Sequence, residues 1–382
     1  MAPRSYARKT IQPDMTVRQI ATDFPASQDV FRRYGEHDAP PARFGHLEPL
    51  THFACRRGIR LEGLLSELAA TTGAPVEPRG RFAERVHHGF LLAAMVLTLT
   101  LGAGLGTWLL WRIGMQGEFS AAPAAYIIAH GEAQLWGFIV FFVMGISLRT
   151  VLQGAARQPL GRWVCHVLLF LGLVGIAGGM LWSVFPAKFA WMGVASAGAL
   201  CLMSLGLWRL QLTLLRAKWR ATWARAVLVS GLWLMAWAVA TVWFRSDSGT
   251  AGPGIYSNAQ RLMIIELAVF GFAMNSIYGF GQMLLPGLLR IGSTRDWAIE
   301  LAHWLHNAGT IIVGLATALV ASGLGMVIGS GLLVSGALLF AVGHRGFVGR
   351  SRTSHGAEKG HAPLDFYPPV AFFWLLAALA LM

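Results

Sequence analysis

Residues 124–148 read AAYIIAHGEAQLWGFIVFFVMGISL, and this stretch decides the fold class. At about 1.5 Å per residue, a helix of this length crosses the roughly 30 Å hydrocarbon core of a bilayer. Three polar side chains, His130, Glu132 and Gln134, interrupt its apolar sequence. Because an ionisable side chain in hydrocarbon costs about 2.5–3.5 kcal/mol, such a residue normally faces a partner, a cofactor or water. The stretch therefore predicts a membrane-spanning helix that carries a polar site.

One face of this helix has the composition of a haem site. His130 and Gln134 lie one turn apart, and the same row continues through Gly137 and Phe138, whereas Glu132 points to another side. Imidazole can supply an axial nitrogen to haem iron, and glycine lets a flat ring approach the backbone. The row predicts that His130 binds a cofactor with Gln134 beside it. The alternative is that His130 only forms a hydrogen bond to a neighbouring helix.

The composition of the 382 residues indicates an integral membrane protein, because 55% are hydrophobic, 13% are charged and the mean hydropathy is +0.54. The first 85 residues differ: they contain 13 of the 31 Lys and Arg, 10 of the 18 Asp and Glu, and no long apolar run. We therefore predict a soluble head at 1–80, a linker at 81–85 and a membrane domain at 86–382. No signal peptide is expected, since no apolar segment follows the basic start.

The predicted fold is all-α: a polytopic membrane helix bundle of about nine spans with a small four-helix soluble domain at the N-terminus. The predicted spans are 86–111, 124–148, 163–185, 189–208, 223–244, 262–289, 298–322, 326–342 and 366–382. Lys and Arg are concentrated in the loops after the even-numbered spans, which places the head in the cytoplasm. This topology explains the formal net charge of +13, so a nucleic-acid partner is not expected.

Four short helices are predicted in the head. Thr16 and Gln19 form a capping-box pattern before the first helix, and Ser27 is predicted to cap the second. The third covers 48–57 and the fourth 61–72, and each is followed by a glycine. The predicted core consists of Val17, Ile20, Phe24, Val30, Phe31, Leu50, Phe53, Ile59, Leu61, Leu64, Leu65 and Leu68.

A second histidine group opens the seventh predicted span, which reads ELAHWLHNAGT from Glu300. His303 and His306 are three residues apart and can approach one centre, and Glu300 lies on the row of His303. Neutral imidazoles suit haem iron or copper, and a nearby carboxylate can fix their tautomer or bind the metal. We therefore predict a cofactor or metal site at His303, His306 and Glu300.

Three more histidines lie at the same predicted depth: His87, His88 and His166. They are further candidate ligands, although they could equally be interfacial residues. The histidines at 344, 355 and 361 are predicted to be solvated in a cytoplasmic loop. In the sixth span, Asn275, Tyr278 and Gln282 either line a cavity or proton path or form hydrogen bonds between helices.

Cysteine-based chemistry is not expected. The three cysteines, Cys55, Cys165 and Cys201, contain no CxxC pair, so neither a disulfide framework nor an all-cysteine metal site is predicted. Cys55 could bind a metal together with His37, His46 and His52, but their spacing matches no standard pattern, and they could also be surface residues.

The head resembles a known small domain over nearly its whole length. The segments TVRQIATDFPASQDVFRRYG, GHLEPLTHFACRRGI and LEGLLSELA are similar to the N-terminal helical domain of the ScdA-type iron-centre repair proteins. That family usually has cysteines after the Tyr-Gly pair, whereas this chain has Glu36, His37 and Asp38. The chain departs from the family pattern at the positions of those thiols.

The membrane domain resembles the NnrS family in two segments, HGEAQLWGFIVFFVMG of the second span and HWLHNAGT of the seventh. This family consists of bacterial inner-membrane haem and copper proteins associated with nitric oxide tolerance. The resemblance implies haem, expected to be of the b type, and allows copper. It implies a response to, or protection from, nitric oxide in the bacterial inner membrane, with an electron-donor protein or quinol and membrane lipid as further partners.

Two other functions remain open from the sequence. The first is a divergent nitric oxide reductase, although the chain has no CxxCH motif for a c-type cytochrome, and the sixth span has no histidine for a complete binuclear site. The second is a proton-coupled transporter without a cofactor, in which His130, Glu132 and Glu266 would form a proton relay. Whether the protein is an enzyme is left open.

Overall fold

The computed structural model describes residues 10–13, 15–34, 50, 53–54, 57–76, 86–150, 159–186, 188–246, 256–288, 295–319 and 323–344. The chain divides into two compact units, one formed by Met1–Arg81 with Met283–Gly292 and the other by Phe82–Gln282 with Ser293–Met382. The predicted linker, the four candidate metal ligands of the head at 37, 46, 52 and 55, and the predicted ninth span lie outside the described residues.

The head contributes three described helices: α1 (Val17–Asp23), α2 (Ser27–Arg33) and α3 (Leu61–Thr72). The predicted capping box is confirmed, since Gln19 N donates to Thr16 Oγ1 at 3.2 Å and Thr16 N donates to Gln19 Oε1 at 3.1 Å. The predicted end of α3 is also confirmed: Gly73 adopts a φ of +65°, a left-handed conformation that glycine enters at little cost.

The apolar residues of the head form one core, as predicted. Nine of the twelve predicted members are buried, and Phe24, Ile59 and Leu61 are partly buried against them. Of the predicted third helix, the described residues Leu50 and Phe53 are helical and fully buried. The core also contains Ile11, Met15, Ala54 and Ala74, which were not predicted.

The predicted cap at Ser27 is wrong. Ser27 is the first helical residue of α2, and its buried hydroxyl has no hydrogen-bond partner among the described residues. The helix begins one residue earlier because a turn at Pro25 starts it, with Ser27 N donating to Phe24 O at 2.9 Å and Gln28 N donating to Pro25 O at 3.1 Å. The fixed φ of proline favours this turn.

Glu67 of α3 joins α3 to the end of α2. Its carboxylate is 2.6 Å from Arg33 Nη2, and the Tyr34 hydroxyl donates to Glu67 Oε2 at 2.6 Å. This hydrogen bond raises the pKa of the Tyr34 phenol, because losing the proton would place a second negative charge beside the carboxylate.

Eight long helices follow in the second unit, within its described residues: α4 (Val86–Gln116), α5 (Ala124–Thr150), α6 (Pro159–Val184), α7 (Ala190–Leu215), α8 (Thr222–Ser246), α9 (Asn258–Gln282), α10 (Asp296–Ala318) and α11 (Gly323–Gly343). Seven of them, all except α10, are long and apolar enough to cross a membrane. α10 is of similar length, but Glu300, His303, His306 and Asn307 lower its hydropathy. Together the seven apolar helices indicate a multi-pass membrane protein.

The outer surface of the helices is apolar, as expected for contact with lipid. Leu110 is 69% exposed, Trp191 68%, Trp243 67% and Val327 70%. A soluble protein rarely exposes so many large apolar side chains, so these residues support the assignment to a membrane.

Three of the helices contain a π-helical segment. These segments are Thr98–Gly104 in α4, Ala133–Val140 in α5 and Glu266–Ala273 in α9. Glu132 directly precedes the second, and Glu266 is the first residue of the third. A π-helical turn is rare and is found often at functional sites, so these two carboxylates lie at unusual points of the backbone.

Helices that follow one another in the chain run antiparallel. In α10 and α11, for example, Gly309 lies opposite Gly329 and Ala302 lies opposite Gly336. α4, α6, α8 and α10 therefore begin at one end of the bundle. We call this the histidine end, because it contains His87, His166, His303 and His344, and we call the other the carboxylate end, because it contains Glu132 and Glu266.

The close packing of α10 on α11 predicts a position-specific effect of an added methyl group. A Cβ at Gly329 would lie 3.0 Å from Val313 N and 3.1 Å from Gly309 O, which are backbone atoms, whereas a Cβ at Gly331 would meet nothing within 4 Å. Gly329→Ala should destabilise the protein by about 1–3 kcal/mol through overpacking. Gly331→Ala should leave the stability unchanged or raise it, because alanine favours a helix. Melting temperatures in detergent check this, and equal melting temperatures for the two variants would contradict the packing.

Candidate functional site

Buried polar atoms without a hydrogen-bond partner are concentrated on α9 and α10 and at the end of α11. In the described part of the chain nine side-chain atoms are of this kind; five of them belong to α9 and α10, and a sixth belongs to His344, which directly follows α11. They are Glu266 Oε2, Tyr278 Oη, Gln282 Oε1, His303 Nε2, His306 Nδ1 and His344 Nε2. Because buried polar groups are nearly always paired, this concentration marks the best candidate for a binding site.

Five aromatic and imidazole rings at the histidine end form one buried group, which we call the histidine cluster: Tyr278, His303, His306, Phe340 and His344. The Tyr278 ring centroid is 5.0 Å from that of His306 and 6.5 Å from that of His303, and both pairs are almost perpendicular. Phe340 joins the two sides, at 4.6 Å from Tyr278 and 4.4 Å from His344. The cluster thus brings together the two predicted ligands of α10 with residues of α9 and α11.

Backbone carbonyls fix the tautomers of two of these imidazoles. His306 Nε2 is 2.7 Å from Phe270 O, and His344 Nδ1 is 2.9 Å from Phe340 O. Since a carbonyl can only accept, each of these nitrogens carries the proton and the opposite ring nitrogen keeps its lone pair. A metal-binding histidine typically has this arrangement, with one N–H donated to a carbonyl and the other nitrogen free to coordinate.

His344 was predicted to be solvated, and this prediction is wrong, because the residue is fully buried. α11 continues to Gly343, and Arg295 N donates to Gly343 O at 2.8 Å, which ties the end of α11 to the start of α10. Small residues allow this approach: a Cβ at Gly336 would lie 2.9 Å from Ala302 O. The basic residues that follow suggested a loop, and the sequence contained no signal for the tertiary contact.

Asn275 and Asn307 position α10 beside the cluster. Asn307 Nδ2 donates to Asn275 Oδ1 at 2.9 Å, and Asn275 Nδ2 donates in return to Asn307 Oδ1 at 3.2 Å. Trp233 Nε1 of α8 also donates to Asn307 Oδ1, at 2.7 Å. For Asn275 the structure therefore favours the hydrogen-bonding interpretation, whereas Tyr278 and Gln282 keep atoms without a partner among the described residues.

Glu300 forms an ion pair at the edge of this region. Arg225 Nη2 donates to Glu300 Oε1 at 2.7 Å, and the Glu300 side chain is 46% exposed. The sequence predicted that Glu300 binds a metal or orients His303. In the structure one oxygen of this carboxylate is bound by Arg225 of α8.

His130 and Gln134 lie away from the histidine cluster, near the carboxylate end. They share one face, as predicted, and this face packs on α4, where the His130 Nδ1 atom is 3.4 Å from Leu101 O. A Cβ at Gly106 would be 2.9 Å from His130 Cε1, so glycine on α4 makes room for the imidazole. Gln134 packs against Gly102 in the same way.

The three remaining candidate histidines lie at the histidine end but are more exposed. The rings of His87 and His88 are 4.2 Å apart and half-buried, and His166 is exposed. Across the described residues, no group of three or more His, Cys, Asp and Glu side chains is arranged to hold a metal ion. In this arrangement one or two imidazoles, rather than three, could bind the same metal ion.

By number, the available imidazole nitrogens match what a haem would need from the protein better than what a metal ion held by protein alone would need. Porphyrin supplies four nitrogens to the iron, so one or two histidines complete the coordination. A structural zinc ion would need four protein ligands. The ring nitrogens that could bind an iron are His306 Nδ1, His344 Nε2 and His303 Nε2, which have no hydrogen-bond partner among the described residues.

The carboxylate end contains a buried ion pair that the sequence did not predict. Arg245 Nη2 donates to Glu132 Oε1 at 2.7 Å, and the two side chains are 1% and 9% exposed. Tyr256 Oη donates to the same oxygen at 2.8 Å, and Arg245 Nη1 donates to Ser196 Oγ at 2.6 Å. The Trp182 ring lies against the guanidinium, with its centroid 5.4 Å from Cζ. This network joins α5, α6, α7 and α8.

Tyr256 stays a hydrogen-bond donor in this network. Its burial and then the negative charge of Glu132 raise the pKa of the phenol, because both disfavour the phenolate. The sequence analysis did not predict a buried role for Arg245, because an arginine at the end of a span resembles an ordinary charged loop residue. The available signal was Gly179 and Gly193, which leave space for the guanidinium and for Trp182.

No protein-family model matches the chain, and no curated protein and no solved structure is detectably similar to it.

The buried ion pair predicts strong coupling between its two members. Arg245→Met or Glu132→Gln alone should cost about 3–5 kcal/mol, because either change leaves an uncompensated charge or donor inside the bundle. The double variant should be more stable than the sum of the two costs predicts. Melting temperatures in detergent for the four proteins measure this coupling.

The matched control is the same set of variants at Arg225 and Glu300, where exposure to solvent weakens the pair. Coupling at Arg225 and Glu300 as large as at Arg245 and Glu132 would show that the buried pair has no special role.

Proposed function

We propose that this chain is a membrane protein that binds haem at the histidine cluster and acts in the response to, or protection from, nitric oxide. The observation that carries the haem proposal is the pair of imidazoles, His306 and His344, whose N–H groups are held by backbone carbonyls while their other nitrogens keep a lone pair. This pre-orientation removes part of the entropic cost of binding a metal.

The residues of the cluster have separate roles in this proposal. His306 or His344, with His303 as the third candidate, would supply a nitrogen ligand to the iron. Tyr278 has a buried hydroxyl without a partner among the described residues, so it can donate a hydrogen bond to a small molecule beside the imidazoles. Phe340 and the neighbouring helices exclude water. Bound haem iron would supply reversible binding of a diatomic gas and one-electron transfer.

The nitric oxide part of the proposal rests on the two resemblances. The second- and seventh-span segments are similar to the NnrS family, and the head is similar to a domain of iron-centre repair proteins; both belong to the response to nitrosative stress. The same reasoning, together with the loop charges, favours the bacterial inner membrane with the head in the cytoplasm. Copper could be a second metal only if it had a ligand outside the histidine cluster. Among the described residues, no three His, Cys, Asp or Glu side chains are arranged to hold a metal ion.

Haem content tests the proposal. The protein is purified in detergent and its haem measured by the pyridine haemochrome method for wild type, His306→Ala, His344→Ala and His303→Ala. We expect haem in the wild type and a loss of most of it in at least one of the three variants. His166→Ala, a change at an exposed position of the same end, is the matched control and should retain haem. Size-exclusion profiles check that each variant is folded.

The same series separates the two predicted haem positions. If His130→Ala loses haem while all three cluster variants retain it, the haem lies between α4 and α5. A wild type without haem would contradict the proposal altogether. Nitric oxide added to the reduced protein should shift the Soret band, and an unchanged band would remove nitric oxide as a ligand.

A further inference from the structure

Glu266 is a buried carboxyl group that has no positively charged partner among the described residues. The residue is 3% exposed and is the first of the π-helical segment in α9. Its Oε1 atom accepts from the Thr317 hydroxyl of α10 at 2.8 Å, whereas Oε2 has no hydrogen-bond partner among the described residues. Burying an unpaired carboxylate in apolar surroundings costs several kcal/mol of desolvation free energy, as an order of magnitude, so the group binds a proton or a cation.

The charged groups on the surrounding helices do not compensate Glu266. Arg261 of α9 donates to Tyr256 O at 3.1 Å, and Arg245 of α8 is bound to Glu132. On α10 the nearest titratable residue is His306, eleven positions before Thr317, and the segment Ala133–Val140 of α5 contains none. α11 contains no titratable residue, and His344, which directly follows it, lies at the opposite end of the bundle.

The surroundings of Glu266 favour a proton over a metal cation. A hard cation such as Na⁺ or Ca²⁺ needs several oxygen ligands, but besides the carboxylate the described contacts supply only the Thr317 hydroxyl. The other neighbour of that hydroxyl is a sulfur, Met326 Sδ, at 3.9 Å. A thioether is a poor ligand for hard cations.

We propose that Glu266 is a proton-binding site inside the membrane domain, which takes up and releases a proton as a neutral and a charged carboxyl group. Thr317 supports both states. Its hydroxyl donates a hydrogen bond to the charged carboxylate. When Glu266 is protonated, the hydroxyl oxygen can accept a hydrogen bond from the carboxylic acid while its own hydrogen points toward Met326 Sδ. The site is separate from the proposed haem site, and it lies at the other end of the bundle.

Glu132 gives the structure an internal comparison. It lies at the same end of the bundle and is similarly buried at 8% exposure, but the Arg245 guanidinium neutralises it at 2.7 Å. The two residues therefore differ chiefly in whether a positive charge accompanies the carboxylate. Only the uncompensated one should react as a carboxylic acid.

Labelling with dicyclohexylcarbodiimide tests the proposal on the full-length wild-type protein. The carboxyl proton passes to a carbodiimide nitrogen and a carboxyl oxygen bonds to the central carbon, so the adduct gains the whole mass of the reagent. The protein is labelled at a series of pH values and its peptides are analysed by mass spectrometry. We expect the adduct on Glu266 after labelling at acidic pH and no adduct after labelling at alkaline pH. Glu132 should remain unlabelled at every pH.

Three outcomes would overturn the proposal: no label on Glu266 at any pH, equal label at every pH, or equal label on Glu266 and Glu132. Equal label at every pH would mean a permanently neutral, structural carboxyl group. A second measurement does not depend on the reagent. Infrared difference spectra of wild type against Glu266→Gln should contain the carbonyl stretch of a carboxylic acid, which shifts in heavy water and disappears at alkaline pH.

Discussion

The Arg245 guanidinium and the Glu132 carboxylate lie 2.7 Å apart inside an apolar bundle, and the packing of α5, α6, α7 and α8 depends on this pair. Neither group can be buried alone, because losing water costs each charge several kcal/mol. Tyr256 and Ser196 satisfy further polar atoms of the pair. The four helices must therefore meet where these side chains meet, which fixes their relative heights.

At the other end of the bundle the ion pair, Arg225 with Glu300, is partly exposed, and the polar side chains of the interior include asparagines, a tyrosine and imidazoles. α10 is the least apolar of the long helices, and α9 and α11 cover its polar face. The two asparagines, Asn275 and Asn307, hold α9 and α10 in register, and this register places His303 and His306 beside Tyr278. The same bundle thus separates a fully compensated ionic network from a group of imidazoles that can accept a ligand.

Local rules of the chain predicted much of the fold. The capping box at Thr16, the glycine end of α3 and most of the core of the head follow from neighbouring residues, and all are confirmed. Eight of the nine predicted spans coincide with long helices of the described residues, and seven of these qualify as spans. Prediction failed at Ser27, where a proline turn moved the start of the helix, and at His344, where an expected loop is packed against α10.

By itself the sequence determined a helical membrane protein with a small helical head, because hydropathy and helix periodicity depend only on residues near one another in the chain. It also identified His303, His306, Glu132 and Glu266 as polar residues that need a partner. Only the tertiary structure decided which of them have one. The pairs join residues more than a hundred positions apart in the chain, such as Glu132 and Arg245, and a local sequence pattern contains no information about such long-range contacts.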